Sequence, residues 1–331
     1  MEDGDSGEDR FIARFLRPLA AHPAALGLRD DAALIAPPAG TDLVVTKDAL
    51  VAGVHFFADD PPGAIAQKAL RVNLSDLAAK GAVPFGAFLA LALPREADEA
   101  WLEAFFDGLG ADVAAYGCPI LGGDTVRTPG PLTLSVTALG TVPRGEFVPR
   151  TGARPGQAII VSGTIGDAAL GLKLRQEPGR FGFLSLIETQ RGHLSDRYLH
   201  PQPRLALAPL LRSYAAAAMD VSDGLVGDVA KLLVASGCGG WITSSDVPLS
   251  AAAAAAVAAE PDLLRTALTG GDDYEIAAVL PVAALPAFAE EALALGIPVC
   301  VIGETCVGRG LDVLDAAGDP LQFGVGSYSH F

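Results

Sequence analysis

Apolar residues recur along this chain either at a helical spacing or in short continuous runs. The helical spacing over residues 8–21 predicts an amphipathic helix near the N-terminus. Two prolines at 61–62 favour a helix start, and the helical pattern continues to about residue 80. The other elements predicted for this half are a helix over 98–115 and strands over 43–46, 86–93, 119–121 and 132–142.

The turn-rich segment 150–156 separates this half from a second one, so we expect one domain over 1–149 and another over 150–331. Residues 176–203 show little periodicity, and we expect this stretch to include a variable surface excursion. Strands and helices alternate in both halves, which predicts an α/β or α+β fold. The elements predicted for the second half are strands over 158–161, 217–221, 274–280 and a final core strand over 299–302, and helices over 167–174, 204–214, 226–236, 250–259 and 282–295.

The charge balance narrows the range of partners. The chain has 331 residues and a formal net charge of −16, from 23 basic and 39 acidic side chains. A nucleic-acid backbone or an anionic membrane would repel such a surface, so we expect neither as a partner. No apolar run reaches the roughly 18 residues that span a bilayer, and the N-terminus lacks a secretory pattern. The four cysteines show no CxxC spacing, which favours reduced core thiols, argues against zinc and predicts a cytoplasmic location.

Aspartates stand beside glycine, serine or threonine in six clusters, most of them at the end of an apolar run. Any one cluster alone is more typical of a turn or a helix N-cap. Six together favour a site where carboxylates and substrate phosphates share Mg²⁺ ions, because Mg²⁺ prefers oxygen ligands. The clusters are Asp30-Asp31, Thr46-Lys47-Asp48, Asn73-Leu74-Ser75-Asp76, Gly122-Gly123-Asp124-Thr125, Asp220-Val221-Ser222-Asp223-Gly224 and Gly270-Gly271-Asp272-Asp273.

Common signatures of nucleotide and phosphate enzymes are missing. No Gly-Lys-Ser/Thr follows a glycine-rich loop, and no GxGxxG follows a predicted strand. The spacing of Asp220 and Asp223 also disfavours a covalent aspartyl-phosphate intermediate. A polyphosphate site in this chain therefore has to be built from the aspartate clusters.

Seven segments of the chain, taken in order, closely resemble the thiamine-monophosphate kinase family, which belongs with the aminoimidazole ribonucleotide synthase-like proteins. They are RDDAALI, KDALVAGVHF, KALRVNLSDLAAKGA, LGGDT, MDVSDGL, GGDDYEI and SYSHF, and the resemblance covers the chain from about Glu8 to Phe331. It implies a two-domain fold, with an N-terminal sheet domain that forms a homodimer and a C-terminal α/β domain. It also implies that ATP phosphorylates thiamine monophosphate to thiamine diphosphate with the help of several Mg²⁺ ions.

The resemblance implies roles for single residues as well. The implied Mg²⁺ ligands are Asp31, Thr46, Asp48, Asp76, Asp124, Asp220 and Asp223. The implied ATP contacts are Gly123, Asp124, Arg150 and Ser222, and the implied contacts to thiamine monophosphate are His55, Asp272 and Tyr328. Within these sets, the residues expected to carry catalysis are Asp48, Asp76, Asp124 and Arg150.

Several of these residues have an ordinary alternative role. His55 stands next to Phe56-Phe57 and fits a buried core histidine. Tyr328 fits an anchor for the C-terminal tail, and Arg150 fits an exposed linker charge. Asp30 is more typical of a turn than of a metal ligand.

Three positions depart from the family pattern. Arg29 stands where glycine is expected, Lys47 where a small threonine-like residue is common, and Asp272 where glutamate is frequent. The two cations either extend to solvent or neutralise neighbouring carboxylates. None of the departures removes a metal-binding carboxylate, so we expect them to alter the local metal geometry more than the chemistry.

Two other functions stay open on the sequence alone. One is another ATP-using enzyme of the same superfamily, which handles selenide or formylglycinamidine and shares the aspartate clusters. The other is a non-catalytic metal- or nucleotide-binding module whose aspartates hold structural cations. Carboxylates in both halves of the chain favour an enzyme.

Overall fold

The computed structural model describes residues 7–181, 186–322 and 326–327. These residues form two compact units. The first unit contains the described residues up to Leu77 together with Ala82–Gly145, and the second contains Ala78–Gly81 and the described residues from Glu146 onward. Among the described residues, none of the helices combines the length and the apolar character needed to cross a membrane.

A four-stranded sheet forms the centre of the first unit. Its strands are β1 (Thr41–Val51), β2 (Val83–Leu93), β3 (Ile120–Arg127) and β4 (Thr133–Pro143), and the helices beside them are α1 (Gly7–Phe11), α2 (Pro62–Ala79) and α3 (Glu99–Tyr116). The strand order is β1-β4-β2-β3. β2 and β3 pair in parallel, whereas β4 pairs antiparallel with both β1 and β2.

This sheet has one covered face and one partly open face. Along β1 the buried Val44 and Leu50 alternate with exposed Val45 and Lys47, as expected when successive side chains point to opposite faces. α2 lies on the covered face, where its Asn73 reaches the backbone of β1. Among the described residues, Leu43 and Val45 on the other face of β1 therefore stay exposed.

The N-terminal segment covers the other part of the open face. Ala20, Ala24 and Ala25 pack against Leu121 and Leu139. The single helix predicted over 8–21 is wrong in detail, because α1 is followed by a π-helical turn over Ile12–Leu16 and a 3₁₀ turn over Arg17–Leu19. Pro18 lacks a backbone N–H and lies within the last turn, which explains why the α-helical pattern does not continue.

A six-stranded sheet forms the centre of the second unit, with strand order β10-β7-β9-β5-β8-β6. The strands are β5 (Ala158–Ser162), β6 (Ala217–Asp220), β7 (Gly239–Thr243), β8 (Ile276–Leu280), β9 (Val299–Cys306) and β10 (Gly310–Leu314). The helices are α4 (Asp167–Gln176), α5 (Pro178–Phe181), α6 (Glu188–Leu199), α7 (Ala208–Tyr214), α8 (Leu225–Ser236), α9 (Ala251–Ala259), α10 (Leu263–Thr269) and α11 (Leu285–Ala294). β10 and β7 pair in parallel, and the other neighbouring strands pair antiparallel.

Both faces of this second sheet are buried. Ile159 and Val161 belong to a cluster with residues of α8, whereas Ile160 packs with residues of α7 and α11. Such two-sided burial explains why β5 is a continuous apolar run. The expected α/β class is confirmed, with mixed pairing in both sheets.

Two segments of the second half are more regular than the sequence pattern indicates. Residues 176–203 contain α6, which buries Leu194 and Tyr198. The core strand predicted over 299–302 extends to Cys306, and the edge strand β10 follows it. β10 is a short edge strand, and two alternating apolar residues are too weak a signal to predict it.

A buried ion pair joins the two long helices of the first unit. Arg71 on α2 donates from Nε to Asp112 Oδ2 at 2.6 Å and from Nη2 to Oδ1 at 2.8 Å. The two side chains are only 12% and 2% exposed. Gln67 donates a further bond of 3.0 Å to the same carboxylate.

We expect Asp112→Ala to lower the free energy of unfolding by about 3–5 kcal/mol, because it leaves the Arg71 guanidinium without its buried partner. Urea denaturation measures the change. The matched control is Arg144→Ala, which removes an ion pair with Asp42 whose side chains are 75% and 50% exposed, and about 1 kcal/mol or less is expected there. Equal losses in the two variants would contradict the prediction.

Candidate active site

The covered face of the first sheet brings two of the predicted metal ligands together. The Thr46 hydroxyl on β1 donates a hydrogen bond to the Asp76 carboxylate on α2. One turn earlier on α2, the buried Asn73 accepts a bond of 3.1 Å from the backbone N–H of Asp48 and donates one of 3.0 Å to Ala69. These contacts fix the register of α2 over β1 and place hydroxyl and carboxylate oxygens side by side.

Gly123 occupies a position on β3 that a larger residue could not take. A Cβ atom at this position would lie 1.8 Å from the carbonyl oxygen of Leu89 on the neighbouring strand. Its φ of 153° is also in the range that L-residues rarely adopt. The close approach of β2 and β3 therefore explains why position 123 is a glycine, and this explanation does not depend on any bound ligand.

A cavity of about 310 Å³ lies beside this glycine in the first unit. Asp31 and Gly123 line the same cavity, so a predicted metal ligand and a predicted ATP contact are neighbours. The backbone N–H of Asp31 donates to Asp30 Oδ1 at 2.8 Å, which agrees with the turn role expected for Asp30. The lining residues are Ile12, Leu16, Ala25, Leu28, Asp30, Asp31, Ala32, Ala33, Phe88, Ile120, Leu121, Gly122 and Gly123.

Asp124 lies away from Asp48 within this unit. β3 and β1 are the two edges of the sheet, with β4 and β2 between them. Three strand spacings of about 4.8 Å put the two edges about 14 Å apart. Register pairs Asp124 with Ala90, Ala90 with Ser135, and Ser135 with Ala49, so Asp124 faces the same side as Ala49 and the opposite side from its chain neighbour Asp48. One ion cannot be held by both side chains of the same unit.

Lys47 and His55 each make a contact that defines their orientation. The Lys47 ammonium donates to Ser135 Oγ on β4 at 2.7 Å, so it is held across the sheet and does not neutralise Asp48. His55 Nδ1 accepts a bond of 3.0 Å from the backbone N–H of Val51. A ring nitrogen that accepts carries no proton, so the neutral ring has its proton on Nε2.

In the second unit, the loop after β6 carries three of the predicted site residues. Asp220 ends the strand and is 6% exposed, and Ser222 and Asp223 follow it before α8 begins. The backbone N–H groups of Ser222, Asp223 and Gly224 all donate to Asp228 Oδ2, at 3.0, 2.9 and 3.2 Å. Burial raises the pKa of the Asp228 carboxyl, although the nearby ammonium of Lys231 opposes this.

The loop that carries Asp272 has an unusual backbone. Asp272 and Tyr274 have φ values of 72° and 51°, in the left-handed region that is uncommon for residues other than glycine. The Tyr274 hydroxyl donates to Asp272 Oδ1 at 3.3 Å. The strand predicted to start at 274 therefore starts later, at Ile276.

Two buried acidic residues close to Asp272 in the chain, Asp273 and Glu275, make hydrogen bonds that hold this loop. Both oxygens of Asp273 accept from the backbone N–H of Gly166, at 3.0 and 2.9 Å. Burial raises the pKa of the Asp273 carboxyl well above its ordinary range, and the neighbouring charge of Asp167 raises it further. Glu275 is fully buried and accepts hydrogen bonds from Arg197, Arg204 and Ser162.

The structure gives less information about two predicted site residues, Arg150 and Tyr328. Arg150 is exposed, and its carbonyl oxygen accepts a bond of 3.4 Å from Ser236 Oγ. Tyr328 lies outside the described residues. Within either unit, no three described His, Cys, Asp or Glu side chains converge into a formed metal site.

The sequence pattern did not single out Asp228 or Lys231. Asp228 lies in the first turn of α8, where an acidic residue commonly meets free backbone N–H groups, so its position was a usable signal. Lys231 gave no comparable signal, because its role depends on partners that only the folded chain brings near. Asp273 belongs to the sixth aspartate cluster, but its bonds to Gly166 are seen only in the folded chain.

Comparisons with known proteins place these observations in a family. Residues 29–142 match the AIR synthase related protein N-terminal domain, and residues 154–315 match the AIR synthase related protein C-terminal domain. The thiamine-monophosphate kinase of Caulobacter vibrioides is 44% identical over 304 residues, which cover 91% of this chain and 84% of that protein. The chain belongs to the thiamine-monophosphate kinase family. The resemblance that the seven motifs carry is thereby confirmed.

Solved structures of this family have the same fold. The thiamine-monophosphate kinase of Stenotrophomonas maltophilia K279a superposes with a TM-score of 0.83 at 41% identity, covering 95% of this chain and 96% of that one. AaThiL complexed with AMPPCP and TMP superposes with a TM-score of 0.77 at 31% identity, covering 89% of each chain. The two-domain arrangement expected from the family resemblance is thus confirmed as the fold class.

For the predicted ligands we expect Asp76→Asn and Asp124→Asn each to lower kcat by at least 10²-fold, about 2.7 kcal/mol of barrier, because each keeps the shape but removes a carboxylate charge. Asp30→Asn is the matched control, since its carboxylate is bonded to the turn backbone, and a much smaller loss is expected. Steady-state phosphorylation of thiamine monophosphate measures all three. If Asp30→Asn were the most damaging change, the ligand assignment would be wrong.

Proposed function

We propose that this chain transfers the terminal phosphoryl group of ATP to the phosphate of thiamine monophosphate, giving ADP and thiamine diphosphate. The observation that carries the proposal is the family relation over nearly the whole chain, with 44% identity to a thiamine-monophosphate kinase. The carboxylates of both units support it, because they are the oxygen donors that a polyphosphate site with Mg²⁺ requires.

The reaction needs no general base. A phosphate monoester has a second pKa of about 6, so the acceptor is mostly dianionic at pH 7 and can attack directly. One P–O bond to the terminal phosphorus of ATP breaks, one forms to an acceptor oxygen, and ADP takes the electron pair. The barrier comes mainly from bringing two anions together, so positioning and charge neutralisation carry the catalysis.

The donor set fits Mg²⁺. The Thr46 hydroxyl and the Asp76 carboxylate lie in contact, and the predicted ligands contain oxygen donors alone, with neither sulfur nor nitrogen among them. Bound Mg²⁺ would supply positive charge against the two substrates, whose combined net charge is about −5, from about −4 on ATP and about −1 on thiamine monophosphate, where the thiazolium cation offsets part of the phosphate charge. Several Mg²⁺ ions are proposed, so Asp48 and Asp124 of the same unit need not share one. The residues proposed to hold the ions are Asp31, Thr46, Asp48, Asp76 and Asp124 in the first unit and Asp220 and Asp223 in the second.

The chain's own residues orient the two substrates in this proposal. Asn73 fixes the Asp48 backbone and Thr46 holds the Asp76 carboxylate, so β1 and α2 present their oxygens as one group. Arg150 supplies a positive charge for ATP, and Gly123 and Ser222 supply further contacts. His55, Asp272 and Tyr328 are proposed to recognise thiamine monophosphate.

A homodimer is part of the proposal. Leu43, Val45 and Val83 are 39%, 57% and 54% exposed on the open face of the first sheet. The register pairs Leu43 and Val83 with the same β4 residue, Thr141, so the two apolar side chains lie on one face on either side of it, and we take the three side chains together as an apolar patch. Asp124 faces the same side, and a second copy on this face is one way to bring another Asp124 towards the Asp48 edge. The separation of these two residues within one unit supports that arrangement.

We also propose a cytoplasmic location. Cys118, Cys238, Cys300 and Cys306 all carry free thiols. Free thiols in this number are typical of a reducing compartment.

Thiamine monophosphate should be converted to the diphosphate, while unphosphorylated thiamine should not react, because its hydroxyl would need a general base. The test is product formation with ATP and Mg²⁺, scored separately for the two acceptors, with ATP consumption in the absence of acceptor as the control. Equal turnover of thiamine would show that the direct-attack mechanism is wrong.

Val45→Glu should convert the dimer into a monomer, because it places a charge within the apolar patch of the open face. Size-exclusion chromatography with light scattering gives the molar mass of the wild type and of the variant. Val307→Glu is the matched control, since Val307 is 86% exposed and lies in the second unit, and it should leave the mass unchanged. A dimeric Val45→Glu variant would contradict the proposed interface.

A further inference from the structure

The start of α8 is occupied by one of the chain's own carboxylates. Asp228 is fully buried, and its Oδ2 accepts from the N–H groups of Ser222, Asp223 and Gly224 at 3.0, 2.9 and 3.2 Å. A helix start with several free N–H groups is ordinarily a place where phosphate binds. Here the three N–H groups already donate to Asp228, so they are not available to a phosphate. A ligand at this loop would instead meet side-chain oxygens.

Lys231 connects the buried carboxylate to the end of the loop. Its ammonium donates to Asp228 Oδ1 at 2.9 Å and to Asp223 Oδ2 at 2.6 Å. Asp228 therefore accepts bonds at both oxygens, from backbone on one side and from a cation on the other. We call this group of Asp228, Lys231 and the three N–H donors the loop clamp.

The loop of Asp272 rests directly on the clamped loop. The Asp272 N–H donates to the carbonyl oxygen of Ser222 at 2.9 Å, and the Tyr274 N–H donates to that of Val221 at 2.8 Å. A Cβ atom on Gly271 would lie 2.2 Å from the Ser222 oxygen, so a glycine is required for this approach. Any shift of Ser222 is consequently passed to Asp272.

We propose that Asp228 is a positioning residue that sets the ATP contact Ser222 and the acceptor contact Asp272 together, through the loop clamp and the bonds between the two loops. This inference rests on the proposed function for the roles of Ser222 and Asp272. The clamp itself is defined by the hydrogen bonds alone. A buried residue with no substrate contact would thus govern the affinity for both substrates.

The decisive variant is Asp228→Asn. It keeps the size of the side chain, but its amide nitrogen must face either the three N–H groups or the Lys231 ammonium, so one set of bonds is lost. We expect the backbone N–H groups of residues 222–224, 272 and 274 to exchange with deuterium at least about tenfold faster. We expect kcat/KM to fall at least about tenfold for ATP and for thiamine monophosphate alike.

Asp112→Asn is the matched control, because it also removes the charge of a buried, ion-paired carboxylate but lies in the other unit. It should lower stability while leaving both Michaelis constants and the exchange of residues 222–224 unchanged. Lys231→Gln is a second variant in case Asp228→Asn does not fold. Lys231 is 41% exposed, and its replacement should raise both Michaelis constants about two- to fivefold.

The outcomes separate this inference from the proposed function. Unchanged exchange in Asp228→Asn, or faster exchange with unchanged kcat/KM, would overturn the positioning role. Equilibrium binding of ATP is measured in parallel on wild type and variant. If wild type bound ATP but left thiamine monophosphate unphosphorylated, the proposed function would fail, and a tenfold weaker ATP affinity in Asp228→Asn would still support the clamp.

Discussion

Hydrogen bonds from the chain's own donors to buried carboxylates are the interaction on which the two loops that carry the proposed site residues of the second unit depend. Asp228 gathers three N–H groups, and Glu275 gathers Arg197 and Arg204. A buried charge is tolerated only when such partners are present, so the carboxylates of Asp228 and Glu275 have a structural role. The more exposed acids, such as Asp223, remain nearer to solvent and to ligands. Asp228 and Glu275 therefore differ from Asp223 both in burial and in proposed role.

In the first unit, the proposed ligands are divided between the two faces of one sheet. Its covered face holds Thr46, Asp76 and Asn73 in a fixed arrangement, because α2 packs there. Its open face carries Asp124 together with exposed Leu43 and Val45. The proposed ligands lie on both faces, and they can share one site only if a second copy of the chain brings its Asp124 to the Asp48 edge. The proposed assembly and the proposed chemistry therefore depend on each other.

Much of this arrangement could be predicted from the sequence, and the reasons for failure are local. The regular elements with strong periodicity, such as α2 and α3, were predicted within a few residues. The first helix and the edge strand β10 were missed in detail, because Pro18 changes the helical type and short edge strands carry little signal. The aspartate clusters identified the candidate ligands, but the separation of Asp48 from Asp124 depends on strand order, which no local pattern contains. Asp228 has a recognisable position at a helix start, but its three N–H donors and Lys231 are identified only in the folded loop.

The burial of Asp273 has a consequence for the energetics of folding. Its carboxyl pKa is raised well above the ordinary value, so the folded chain keeps a proton that the unfolded chain loses as pH rises above the ordinary pKa of an aspartate. The stability that this group contributes is complete below that ordinary pKa and declines as pH increases towards the raised one. Between the ordinary and the raised pKa, formation of the second unit is therefore a proton-uptake reaction at this residue. The heat measured for folding will include the ionisation enthalpy of the buffer that supplies the proton.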